Sequence, residues 1–120
     1  MANTILPGYA TYVGNKYLVV FDHSGPASYS QSAGDVVNAI DLGMGGFDYV
    51  ETDMYDPTGV VYAEVVPTGG GGGNAIQSFK ILWYAVATGT IGGQAQTAGQ
   101  QIVAGTNLSA LNIRVLAWCV

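Results

Sequence analysis

No part of this 120-residue chain keeps apolar residues at i, i+3, i+4 and i+7 through three turns, so the repeat available to build a core is the two-residue repeat of a strand. It is plainest near the C-terminus, where Leu111, Ile113, Val115, Ala117 and Cys119 fall on one face of an extended chain. The opposite face starts polar with Asn112 and Arg114 and turns apolar with Leu116, Trp118 and Val120, which predicts that its second half is covered on both sides. Residues 78–87 repeat the design. Phe79, Ile81, Trp83 and Ala85 make one face, and the other runs from Ser78 and Lys80 to Leu82, Tyr84 and Val86. The cover is expected to be a second sheet or a neighbouring subunit. An end without a polar tail is expected to be tied into packed structure.

The remaining segments fit the same scheme. Residues 1–7 read as an extended arm stopped by Pro7, and a hairpin is expected from Tyr9 to Phe21 around Gly14-Asn15. Residues 22–34 read as a loop. The apolar spacing of 35–44 suits either a strand or a single helical turn closed by Gly43. Residues 47–52 and 60–66 read as two arms of a hairpin with an acidic tip at 53–59, where Asp56-Pro57-Thr58-Gly59 is turn chemistry. Five successive glycines, Gly69 to Gly73, are expected to form a mobile loop. Residues 88–105 lack periodicity, and Asn107 or Ser109 is expected to cap one turn at 107–110. The sum is an all-β fold, an antiparallel β-sandwich or barrel with Gly-rich loops and little or no helix. Its parts are an N-terminal arm and first short strand (1–14) and a single β domain (15–120).

Charged residues make up only 9% of the chain, against about a quarter in an ordinary soluble domain. Low charge with surplus aromatics is the composition of contact surfaces, so membership of an assembly is expected. A net charge of −5 with three Lys and Arg argues against nucleic acid, which is bound by neutralising phosphates. The uncharged stretch 81–113 is interrupted by glycines and glutamines and does not read as a membrane span, and no secretory leader is expected at the start.

The sites that could carry chemistry are few. His23 stands between Asp22 and Ser24, but neighbours on an extended chain point apart and no nucleophile elbow is present, so a solvated loop histidine is expected. Asp48, Glu51, Asp53 and Asp56 could offer oxygens to calcium, yet their spacing matches no EF-hand loop, and turn and solvating roles are preferred. The pentaglycine lacks the Lys-Ser/Thr pair and helix of a phosphate loop. Cys119, the single cysteine, reads as a small buried hydrophobe. No catalytic, cofactor or metal residue is therefore assigned. The eight tyrosines exceed what one small core can bury with each hydroxyl satisfied, and tyrosine offers contact area with a polar tip at low entropic cost.

Three segments together resemble a known family: 34–44 (Gly-Asp-Val-Val-Asn-Ala-Ile-Asp-Leu-Gly-Met) with Phe47-Asp48-Tyr49-Val50, the strand at 80–87, and 104–117 (Ala-Gly-Thr-Asn-Leu-Ser-Ala-Leu-Asn-Ile-Arg-Val-Leu-Ala). Their order and spacing are similar to those of the small virion structural proteins of tailed bacteriophages that accompany the major capsid protein as decoration or cement proteins. The pentaglycine, the tyrosine-rich first thirty residues and the long 88–105 segment depart from that pattern.

The resemblance implies a non-enzymatic protein on the outer surface of the capsid. It would bind the major capsid protein, bridge capsomers, and form a homodimer or homotrimer without nucleic acid or membrane. Ile5, Leu6, Tyr9, Tyr12 and Tyr55 are the expected interface residues. The alternatives are a carbohydrate-binding or host-adhesion module of the virion, and a tail or neck component.

Overall fold

The computed structural model describes residues 3–53, 55–68 and 76–119, apart from the side chains of 6–9 and 13. The pentaglycine, Met54 and Val120 lie outside the described residues. Among the described residues nine strands follow in order: β1 (Asn3–Val13), β2 (Lys16–Ser24), β3 (Asp35–Asn38), β4 (Phe47–Thr52), β5 (Val61–Pro67), β6 (Ser78–Ala85), β7 (Gly89–Ile91), β8 (Gln94–Gln96) and β9 (Asn112–Cys119). The expected all-β sandwich is what forms. One antiparallel sheet has the order β1-β2-β9-β4, a second has the order β3-β6-β5, and neither closes into a barrel.

Alternation decides which side each strand buries. Ile113, Val115, Ala117 and Cys119 of β9 are buried, as are Phe79, Ile81, Trp83 and Ala85 of β6, and these two inner faces meet in one core. Phe47 and Phe79 join the sheets edge to face, with ring centroids 5.2 Å apart. Burial pushes the Cys119 thiol up to about 11, with a further contribution from the Asp48 carboxylate. An alkylating reagent at neutral pH is therefore expected to leave Cys119 unmodified in native protein and to modify it in urea. Equal rates in both would show that the β9 end opens.

Several segments depart from expectation, each for a local reason. The stretch read as an extended arm is extended and paired: Asn3, Thr4 and Ile5 lie opposite His23, Asp22 and Phe21, and after an irregularity between Ile5 and Ala10 the β1–β2 pairing resumes to the turn at Gly14. Strand β2 does not stop at Phe21 but continues through Ser24, because Asp22, His23 and Ser24 find partners in Arg114, Ile113 and Asn112 of β9. Residues 35–44 supply both alternatives in succession, β3 and then a single 3-10 turn (Ala39–Leu42) ended by Gly43 at φ 74.

The expected 47–66 hairpin does not exist. β4 pairs with β9 and β5 with β6, so residues 53–60 cross from one sheet to the other. A bulge between Phe47 and Tyr49 also breaks the predicted alternation, burying Phe47 while Tyr49 is left 56% exposed. Within 88–105 the chain forms the small hairpin β7–β8 over Gly92 and Gly93, both at positive φ. Its three-residue strands are too short to show a period.

Candidate functional site: two outer sheet faces and a buried histidine

His23 is not in a loop. It is fully buried on the inner side of β2, with Nε2 2.7 Å from Asp35 Oδ2 and Nδ1 2.6 Å from Asn3 Oδ1. Trp83 donates its indole N–H to the same Asp35 oxygen at 3.0 Å. Four strands, β1, β2, β3 and β6, thus meet at one polar point between the sheets. Asp22, its sequence neighbour, points outward to Arg114, as the alternation of a strand requires.

The acidic stretch disperses in the same way. Asp48 pairs with Lys16 at 2.5 Å. Asp56 is buried and closes its own turn, accepting the backbone N–H groups of Thr58, Val60 and Val61 and the Thr58 hydroxyl. Burial alone would raise the Asp56 pKa, but these hydrogen bonds outweigh it and hold the carboxyl below its usual range. Its oxygens are spent on the turn. Among the described residues no group of three His, Cys, Asp or Glu is placed to hold a metal ion.

Of the expected interface residues, Leu6 and Tyr9 have side chains outside the described ones. Ile5 is 39% exposed on the edge strand β1, and Tyr12 is 76% exposed against the ring of Tyr17, 4.9 Å away between centroids. Tyr55 belongs to a different surface. It bridges to β5 and abuts Tyr62 edge to face, and Tyr62 stacks on Tyr84 of β6 at 5.1 Å and 11°. Of the three with described side chains, Ile5 and Tyr12 lie on β1 of the four-stranded sheet and Tyr55 beside β5 of the other.

Tyr55, Tyr62 and Tyr84 instead form a ladder on the outer face of the three-stranded sheet. Tyr62 and Tyr84 are directly opposed in register, and Leu82, Val36 and Val66 share their face with only two charges, Glu64 and Lys80. Burial, then the Glu64 carboxylate, then Tyr29 and Tyr62 raise the Tyr84 pKa, so its O–H stays available as a donor. Not every tyrosine is superficial. Tyr29 is buried, its hydroxyl accepting the Trp83 backbone N–H at 3.1 Å and a Gln101 side-chain N–H at 2.7 Å.

The outer face of the four-stranded sheet is the second surface. Leu18, Trp118 and Tyr49 lie side by side across β2, β9 and β4, and Val20, Leu116 and Glu51 form the next row. Sequence pattern had marked Leu116 and Trp118 for cover on this side, and they are half-buried. Tyr49 joins them only because of the bulge, which no two-residue repeat could reveal. No protein family, curated protein or solved structure matches the chain.

Proposed function

We propose that the chain is a non-enzymatic virion structural protein that decorates the outer surface of a tailed-phage head. In this reading it binds the major capsid protein and bridges capsomers through the tyrosine ladder. The observation that carries this is the ladder itself. Tyr55, 53% exposed, Tyr62 and Tyr84 restrain one another by ring contact, so little side-chain freedom remains to be lost on docking. The surrounding face is apolar and nearly uncharged, which makes adhesion insensitive to salt. A decoration protein works by repetition. Each copy need bury only about 800 Å² per partner, and many copies on one shell act together. The resemblance of the 34–50, 80–87 and 104–117 segments to such proteins supports the same reading.

Removing residues 1–7 would take away Asn3 from His23 and the first pairs of β1, so such a deletion perturbs the fold as well as any contact.

The test is electron cryo-microscopy of heads lacking this protein, mixed with purified full-length chain or with a Tyr55→Ser/Tyr62→Ser variant. Ordered density at symmetry-related sites on the shell exterior is expected with the native chain and its loss with the variant. Bare shells, or equal decoration by both proteins, would overturn the proposal. Bare shells combined with binding on a glycan array would favour the adhesion module instead.

A further inference from the structure

We infer that the outer face of the four-stranded sheet is a docking surface for another protein, which lays on it an extended segment bearing aliphatic side chains and, two residues beyond them, an arginine. The inference does not depend on what the tyrosine ladder binds, since the two faces lie on opposite sides of the sandwich.

The face is apolar in its middle and acidic at one end. Leu18, Trp118 and Tyr49 form one row across β2, β9 and β4, and Val20, Leu116 and Glu51 form the next. Asp22 lies opposite Arg114 in the row after that, and Asp53 joins them by donating its backbone N–H to the Arg114 carbonyl at 3.0 Å. At the other end Lys16 and Asp48 neutralise each other at 2.5 Å. Charge is therefore concentrated around Arg114, where Asp22, Glu51 and Asp53 set three carboxylates against one guanidinium, an excess of two negative charges.

Shape continues the pattern. A groove of about 190 Å³ has Val20 and Leu116 along its apolar wall and Glu51, Asp53 and Arg114 on its polar side. A second groove of about 250 Å³ adjoins it over Asp22, Asp53, Asn112 and Arg114. An apolar wall that ends among carboxylates matches an aliphatic stem with a cation at its tip, and the planar fork of arginine suits carboxylate partners best. Alternate residues of an extended segment face one side at a spacing of about 6.7 Å, the spacing of the rows beneath. Such a segment sets two aliphatic side chains over the rows of Trp118 and Leu116 and brings its arginine to the row of Asp53.

Charge also decides between occupants. The chain has three Lys and Arg in all. Lys16 and Arg114 are engaged by Asp48 and Asp22, and Lys80 lies on the other sheet, on the face that carries Glu64. A second copy therefore has no surface with an excess of positive charge to offer. Nucleic acid and anionic lipid are repelled by the same carboxylates. A protein that brings its own cations is drawn to the acidic end, and the apolar rows supply the area it covers.

The test titrates three end-blocked peptides into the isotope-labelled full-length chain, up to millimolar concentration, and follows the backbone amide NMR spectrum. The first peptide is Leu-Ser-Leu-Ser-Arg, the second has glutamate for the arginine, and the third has serine for both leucines. The first is expected to shift amides of β2, β9 and β4 around Leu18, Leu116 and Glu51, and the other two to bind about tenfold or more weakly. Glu51→Lys/Asp53→Lys, at two exposed positions, is expected to reverse the preference in favour of the glutamate peptide, and Glu51→Gln/Asp53→Asn to narrow it. Amide shifts retained away from this face would show that each variant is folded. No response to the arginine peptide, shifts centred on Tyr62 and Tyr84, or variants that discriminate as the native chain does would overturn the inference. Equal binding of the serine peptide would also overturn it, by showing attraction of charge without docking on the apolar rows.

Discussion

Asp35→Ala is expected to lower the unfolding free energy by about 3–5 kcal/mol, read from urea denaturation. Asp35 is buried, and its Oδ2 is the shared partner of His23 Nε2 and the Trp83 indole N–H. Alanine would strand both groups where water cannot replace the lost acceptor, and that desolvation cost is larger than the net worth of the bonds themselves. Asp35→Asn keeps the volume and one acceptor oxygen and is expected to cost less. His23→Leu together with Asp35→Leu removes donor and acceptor at once, so the double change should cost clearly less than the sum of the two single ones. Strict additivity would mean that the two residues do not stabilise each other, despite their 2.7 Å contact.

Phe47→Ala is the second large effect, expected at about 3–5 kcal/mol on the same assay. The ring is completely buried, stands edge to face with Phe79 of the other sheet, and lies on the edge strand β4 just before the bulge. The void left by its removal would lie between layers held apart by other side chains, so little collapse can fill it. Two residues on, Tyr49→Ala should change monomer stability by less than about 0.5 kcal/mol, because it removes an exposed ring. Near-equal losses at 47 and 49 would show that the strand keeps regular alternation instead of the bulge.

That pair also shows where sequence reading succeeds and where it stops. β6 and β9 were legible because a strand central to its sheet carries its burial pattern in every second residue, and the inner faces of both are buried as read. β4 misleads because one extra residue at Asp48 inverts the phase from Tyr49 onward. The supposed hairpin of β4 with β5 failed for another reason. Asp56-Pro57-Thr58-Gly59 encodes a turn but not which sheet the chain joins after it, since that is decided by distant partners, β9 for one strand and β6 for the other.

The candidate surfaces were legible only in part. The surplus of tyrosine announced a contact surface, but which rings meet depends on the register Tyr62 to Tyr84. The His23 site was invisible because its partners lie 12 and 20 residues away: Asn3 arrives through the β1–β2 register, and Asp35 only when the two sheets close.

The place of β9 between β2 and β4 bears on the order in which the protein can acquire its structure. Ser24 and Asn112 are hydrogen-bonded across 88 residues, and each pair from there to Tyr17 and Cys119 spans a still longer loop. β2 and β4 therefore emerge from the ribosome long before the strand that separates them, and each presents an unpaired edge meanwhile. The β1–β2 hairpin can form locally, whereas closing the four-stranded sheet waits for residue 119 and is paid in loop entropy before any pairing is gained. The strand that binds the finished sheet together is thus also the step that holds its folding back.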